Sequence, residues 1–427
     1  MKIIESREAL EELLRERKGA KPSSKLKEIV SSIIKSVMKE GDAAVCEYTK
    51  EFDKCSLSPS KLKVSKREID NAACSKELES AIKNAANAIR AFHEKQLRSP
   101  WRNKGPYGGE FGEVYRPVER AGVYVPAGTA PLVSSVLMSV IPAQVAGVKS
   151  ICVATPCDSE GKVNPGILAA CKLLNVKELY RGHGPSLVAA MCLGTRAIPK
   201  VDVIAGPGSA AVTEMKRQLF GAVNVDLIAG PSESLIIADE SADPRIVAAD
   251  IMSQAEHHGS KTYVVATSRK LAEAVFAEVR SLNKGELAGA VEKAGLDNMH
   301  AVVVKDLKEA AAVSNAIAPE HLQIITENDE KVLSLIKNAG AVFLGKWTPV
   351  PMGDFAFGPS HVLPTGAAAA FMSGLSTATF LKRMSVMKAD EEGFANMSKT
   401  METFARYEKL PAHGFTSTVR KEKKKWN

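Results

Sequence analysis

Two kinds of hydrophobic spacing alternate along the chain. From residue 1 to about 95 the apolar positions recur at helical intervals among charged ones, around residues 7 to 17, 25 to 40 and 77 to 95, which predicts a helical N-terminal layer. From Gly122 onward short β-branched runs (GVYV, SICVAT, VDVIAG, SLIIAD, TYVVATS, HAVVVKD, AVFLG) alternate with helical stretches such as LVSSVLMSVIPAQVA, GILAACKLLN, AAVTEMKRQLF and KLAEAVFAEVRSL. This is the punctuation of βαβ units, whose strands are covered on both faces and so read as unbroken apolar runs. It predicts an α/β fold of two Rossmann-like, open, largely parallel sheets. Beyond about Thr365 the pattern turns helical again, as a C-terminal appendage.

Ala121 to Val148 carries no charge, but Pro126, Pro131, Pro142 and Gln144 interrupt it, so buried strand, turn and helix are expected rather than a membrane span. A short echo links VDVIAGPG (201–208) to VDLIAGPS (225–232). Each reads as a buried strand ending in a Gly-Pro turn at the carboxyl edge of a sheet, where α/β proteins bind ligands. The first continues as a GxGxxA, from Gly206 to Ala211, with Asp226 20 residues after Gly206. That spacing matches a dinucleotide fingerprint, but Asp226 precedes LIAG and is expected at the start of the next strand, away from the ribose.

Composition narrows the class. The 427 residues suffice for about two or three domains with a large interior. Aromatics at 5% are sparse for a base-stacking nucleic-acid reader, and the net charge of +8 owes part of its size to the terminal run from Arg420 to Lys425. No nucleic-acid or membrane partner is expected. Seven scattered cysteines without a CxxC pair, and a charged amphipathic N-terminus in place of a secretory signal, fit a reduced, cytoplasmic protein.

The candidate chemistry lies in polar stretches. SQAEHHGS (253–260) follows an apolar helical stripe, so Gln254 and His257 fall one turn apart and could converge on one ion, whereas Glu256 and His258 face elsewhere. A helix-end capping pair is the competing reading, since zinc wants three or four ligands. APEHLQ (318–323) sets a Glu beside a His at a Pro-kinked turn. VPMGDFAFGPSHVLPT (350–365) is a Gly/Pro-rich loop with Asp354 and His361, and EKLPAH (408–413) carries a late His. Singly, each reads as a boundary, a turn or a solvated end.

Together with PAGTAPLVSSVLM and IAGPSES, and in this order, these stretches resemble the histidinol dehydrogenase family from about Pro117 to His413. The resemblance implies a zinc- and NAD-dependent oxidation of L-histidinol through the aldehyde to L-histidine. By it, Gln254, His257, Asp354 and His413 would hold one zinc per subunit. His321 would be the base for the alcohol step, and Glu320 would activate water for the aldehyde step. Glu408 would bind the substrate's ammonium group, with Ser232, His361 and Ser135 as pocket positions. Tyr124, Ser186 and Ser209 would contact NAD. The implied assembly is an intertwined homodimer in which the tail bearing Glu408 and His413 reaches the partner's site.

The expected division is an N-terminal helical segment (1–22), a discontinuous first α/β domain (23–123 and 234–371), a second, cofactor-binding α/β domain (124–233) and a helical appendage (372–427) exchanged in the dimer. The cofactor side departs from the family pattern. Ser186 stands where a Gln is usual, Ser209 and Ser360 where an Asn is, and Ala127 where a Gly is. Serine lacks the amide's paired donor and acceptor. A paralogous dehydrogenase of another small polar alcohol, such as a sulfonated propanediol, is therefore the alternative, followed by a non-catalytic metal- or nucleotide-binding homologue.

Overall fold

The apolar runs of the later chain assemble edge to edge. A computed structural model describes residues 1–5, 7–18, 23–127, 131–230, 232–257, 259–291 and 293–422. Its strands are β1 (Lys2–Ile4), β2 (Trp101–Lys104), β3 (Glu110–Pro117), β4 (Arg120–Tyr124), β5 (Ser150–Thr155), β6 (Glu178–Arg181), β7 (Val203–Ala205), β8 (Asn224–Val225), β9 (Glu233–Ala238), β10 (Lys261–Ala266), β11 (Met299–Val303), β12 (His321–Ile325), β13 (Ala341–Leu344) and β14 (Leu381–Lys388). Two sheets are wholly parallel, ordered β1-β11-β10-β9-β12-β13 and β6-β5-β4-β7-β8. The expectation of two open parallel sheets holds.

Strand alternation sends neighbouring residues to opposite faces, and both faces are covered. In the five-stranded sheet Tyr124, Cys152 and Ala154 pack with the helices Ser24–Glu40, Asp42–Phe52, Gly184–Leu193 and Ala210–Leu219. Val123, Val125 and Val153 pack on the other side with Lys76–Glu94, Val133–Val145 and Pro165–Leu173. The helices of residues 24–94 thus belong to the five-stranded sheet and not, as expected, with the six-stranded one. Amphipathicity shows that a helix has a buried face but not which sheet it buries against. The six-stranded sheet is covered by Pro244–Ala255 and Arg269–Leu282 on one face and by Leu307–Ile317 on the other.

Three further expectations are corrected. Residues 2–4 form an edge strand pairing with β11, and among the described residues of the first segment the helix is Arg7–Lys18. Contact between the backbone segments divides the chain into Met1–Gln96 with Val118–Phe380, and Leu97–Pro117 with Leu381–Asn427. The second unit begins at 381 rather than 372 and is not purely helical: β14, β3 and β2 form an antiparallel sheet, followed by the helices Glu391–Tyr407 and Pro411–Lys421. Those strands are largely exposed, so they lack the apolar run that marks a buried strand. Finally, the echo at VDLIAG is strand only to Val225. The uncharged Ala121–Val148 stretch resolves into the end of β4 and the helix Val133–Val145, and among the described residues no helix is long and apolar enough to cross a membrane.

Candidate active site

Parallel pairing of β9 with β12 sets Ser234 beside His321, which brings the residues just before both strands together at the amino edge of the six-stranded sheet. The helix Leu307–Ile317 stops at Ala318, held in the left-handed region (φ 48°), and Pro319 turns the chain into β12. Glu320 is thereby buried. Its Oε2 accepts the Ser232 hydroxyl at 2.6 Å and the Glu233 N–H at 3.0 Å. Burial raises its pKa, and the neighbouring His321 and the two donors only partly oppose this.

His321 follows directly. Its Nδ1 lies 3.2 Å from the Glu233 carbonyl, and its Nε2 lies 3.4 Å from Asp354 Oδ1, buried and without a hydrogen bond. Burial pulls the ring's pKa down, but the Glu320 and Asp354 carboxylates outweigh it and raise it to about 9. Asp354 is raised by burial and lowered more by His321, for a net lowering. Together they set one imidazole between two carboxylates, with Nε2 turned toward Asp354.

Asp354 sits on the short helix Val350–Phe355, and its carbonyl faces His361 Nδ1 at 2.9 Å. The other nitrogen of His361 meets Ser135 Oγ at 3.0 Å, joining the start of the helix after β4 to this site. Burial lowers the His361 pKa against the pull of Asp354. An apolar cavity of about 380 Å³, lined by Phe92, Phe343, Phe357 and Leu363, opens against Asp354 and His361.

The octet ends the helix Pro244–Ala255. His257 donates its N–H to the Gln254 carbonyl at 3.2 Å, so the two side chains stand one turn apart as expected, with His257 just past the helix. Gln254 is buried, and its amide nitrogen has no hydrogen bond. His257 is exposed yet close enough to Asp354 and His361 to act on both electrostatically. His258 lies outside the described residues. Among the described residues no three His, Cys, Asp or Glu side chains converge as a metal-ligand group. A buried amide that could offer its oxygen, an imidazole one turn on and a carboxylate in electrostatic reach are nonetheless a mixed N/O donor set suited to a divalent cation.

Glu408 and His413 belong to the second unit. Glu408 caps the helix Glu391–Tyr407, and His413 lies in the first turn of the next helix. Both line a groove of about 600 Å³ with Met401, Phe404 and Leu410.

The five-stranded sheet has the order of a dinucleotide-binding half, with its switch point between β4 and β7. Tyr124 ends β4, buried, its hydroxyl so close to Gly184 that a Cβ there would meet it at 2.2 Å. Ser186 is fully enclosed and gives its hydroxyl to the His183 carbonyl at 3.0 Å, and Ser209 caps the helix Ala210–Leu219 by accepting from Val212 N–H at 3.4 Å. Asp226 is corrected. It follows β8 and sits at the carboxyl edge after all, but its oxygens already accept the Gly206 and Leu227 N–H groups and Lys216 Nζ. That capture of backbone donors accompanies the early end of β8.

One supporting pair went unread in the sequence. Gln323, two residues after His321 and on the same face, donates to the buried Asp250 at 2.7 Å, one turn before Gln254. The i+2 and i−4 spacings were the available clue.

Fold and site define an α/β protein with a buried Glu-His pair at the amino edge of one parallel sheet and the strand order of a dinucleotide-binding half in the other. The family model for histidinol dehydrogenase matches residues 16–421. Histidinol dehydrogenase of Carboxydothermus hydrogenoformans is 41% identical over 98% of this chain and 99% of its own length, and that of Lactococcus lactis 39% over the same shares. The crystal structure of histidinol dehydrogenase from Elizabethkingia anophelis superposes with a TM-score of 0.92 at 36% identity, covering 98% of this chain and 96% of that one. The chain belongs to the histidinol dehydrogenase family and is an oxidoreductase.

Proposed function

We propose that this enzyme oxidises L-histidinol through L-histidinal to L-histidine, passing two hydrides in succession to NAD. The observation that carries the reading is the adjacent, buried Glu320 and His321, with His321 Nε2 unbonded beside Asp354. Two successive oxidations need two kinds of base. The alcohol step must lose its hydroxyl proton as hydride leaves, and the aldehyde step must gain an activated water.

His321 in its neutral form takes the alcohol proton on Nε2, with Nδ1 held at the Glu233 carbonyl. Glu320, held by Ser232 and the Glu233 amide, takes the proton of the water that adds to the aldehyde. Gln254, His257, Asp354 and His413 would hold one zinc per subunit. Bound there, zinc would supply an electrophile that holds the substrate and polarises the oxygen being oxidised. Glu408 receives the substrate ammonium group, which favours an amine-bearing alcohol, and a non-catalytic homologue would need neither Glu320 nor His321. NAD occupies the crevice between the loops after β4 and β7, beside Tyr124 and Ser209. The working form is an intertwined homodimer in which one chain's tail, with Glu408 and His413, completes the other's site. The seven free cysteines suit a cytoplasmic setting.

The test is NAD reduction by a panel of alcohols, histidinol and dihydroxypropanesulfonate included, with and without added zinc. Histidinol should yield two NADH per molecule. Turnover of another alcohol with none of histidinol would overturn the assignment.

A further inference from the structure

The Asp226 that follows Gly206 at fingerprint spacing is not free to bind a ribose, and what it does instead is specific. Gly206 follows β7 with φ 110°, and its Cα presses on the end of β4 so closely that a Cβ would lie 2.1 Å from the Tyr124 carbonyl. Its N–H donates to Asp226 Oδ2 at 2.8 Å, and its carbonyl accepts from Lys216 Nζ. Lys216 and Asp226 are themselves paired at 2.7 Å, with side chains 4% and 0% exposed, and Leu227 N–H closes the set on Asp226 Oδ1 at 2.7 Å. Both polar groups of one residue are thus gripped by a buried ion pair reaching in from the following helix and the next strand.

We infer that Asp226 and Lys216 are positioning residues for the cofactor: a neutral clamp that fixes the peptide planes of the Gly206–Ser209 turn against the dinucleotide. The inference rests on the NAD reading above. A buried ion pair repays its desolvation poorly compared with apolar packing, so its contribution here is geometric. With Gly206 held at both ends, Pro207 restricted in φ and Ser209 committed as a cap, the turn has little freedom left. The N–H groups of Gly208 and Ser209 have no hydrogen bond within the protein among the described residues, so they are the donors this turn can offer a diphosphate. Lys216 is needed as well as Asp226, because an uncompensated carboxylate this close to the turn would repel that same anion.

The experiment measures NAD dissociation by calorimetry, with zinc content and the KM for histidinol, in Asp226→Asn, in the paired Asp226→Asn/Lys216→Gln, and in Ser209→Asp. Asp226→Asn should weaken NAD binding about tenfold, leaving zinc content and the KM for histidinol unchanged. If stranding the Lys216 charge prevents folding, the paired variant is neutral and carries the same test. Ser209→Asp keeps a good helix cap but brings a charge to the crevice, so it tests where NAD sits independently of the clamp. Loss of NAD affinity in Ser209→Asp with none in a folded Asp226 variant overturns the clamp alone. Unchanged affinity in Ser209→Asp overturns the placement of NAD. A parallel fall in NAD affinity, histidinol KM and zinc content would make the pair merely structural and also overturns the inference.

Discussion

The six-stranded sheet gathers titratable side chains at the amino ends of β9 and β12. The five-stranded sheet has its switch point between β4 and β7, whose carboxyl ends lead into Gly-Pro-rich turns. At the first edge Glu320, His321, Gln254 and Asp354 are buried or half-buried, and two of them keep an unbonded polar atom. At the second, the hydroxyls of Ser186 and Ser209 already have partners. Thr155 Oγ1 and His183 Nδ1 by the second edge are also buried without a bond, so the edges differ in kind: the open groups of the first lie among carboxylates, those of the second do not. The first edge should therefore be intolerant of single side-chain changes, and the second forgiving of them.

The largest effect expected is at the metal donors. Chelation should abolish turnover reversibly, at about one zinc per chain in active protein, and His257→Ala and His413→Ala should each be nearly inactive. Co-expressed, these two variants should recover up to about a quarter of normal activity if tails are exchanged, because half the dimers are then mixed and each has one intact site. No recovery in verified heterodimers would place His413 in its own chain's site. Full activity in metal-free protein would remove the metal from the comparison altogether.

Next comes the base pair. His321→Ala should slow histidinol oxidation by about 10²- to 10⁴-fold, whereas Glu320→Gln should spare that step relative to histidinal oxidation. Assaying each variant on the alcohol and on the aldehyde separates the two, and equal losses on both substrates would show that the pair acts as one unit.

The serines of the other edge should respond differently from one another. Ser209→Asn keeps a good cap and should lower the KM for NAD a few-fold, about 2 to 5 times. Ser186→Gln forces a larger side chain into a fully enclosed position and should destabilise the fold by about 1–3 kcal/mol. Thermal melting read beside NAD titration tells these apart, and a gain in NAD affinity from Ser186→Gln without loss of stability would mean that its side chain reaches the crevice.

The smallest effect lies below the five-stranded sheet, where Arg120 bonds Glu178 through two nitrogens at 2.8 Å. Arg120 is the main cause that lowers Glu178 from the ordinary 4.5 to about 2. A depressed carboxylate stabilises the fold above its unfolded pKa, and that contribution drains away as pH falls from about 4.5 toward 2. Glu178→Gln should flatten that part of the acid-melting curve by about 1 kcal/mol, measured as Tm against pH. An unchanged curve would show the pair to be neutral.

The individual elements were legible because burial on both faces leaves a continuous apolar imprint: SICVAT is β5 to the residue, and the helix after SLIIAD ends at the octet as read. The one-turn spacing of Gln254 and His257 was legible too, because it is set within one stretch of chain. Neighbourhoods between segments were not. Nothing in the spacing of APEHLQ and IAGPSES brings Ser232 to Glu320, 88 residues away; the parallel register of β9 with β12 does. Likewise Asp226 had the right distance along the chain for a ribose ligand, and only the strand order shows its carboxylate closed around Gly206. The three-stranded sheet of the second unit left no apolar imprint, because most of its residues face water. The sequence by itself determines local periodicity and the inventory of reactive groups, since these depend on residues a few positions apart. Which groups meet, which keep an open valence and which are already satisfied is decided by long-range packing, because burial and hydrogen bonding belong to neighbours in space.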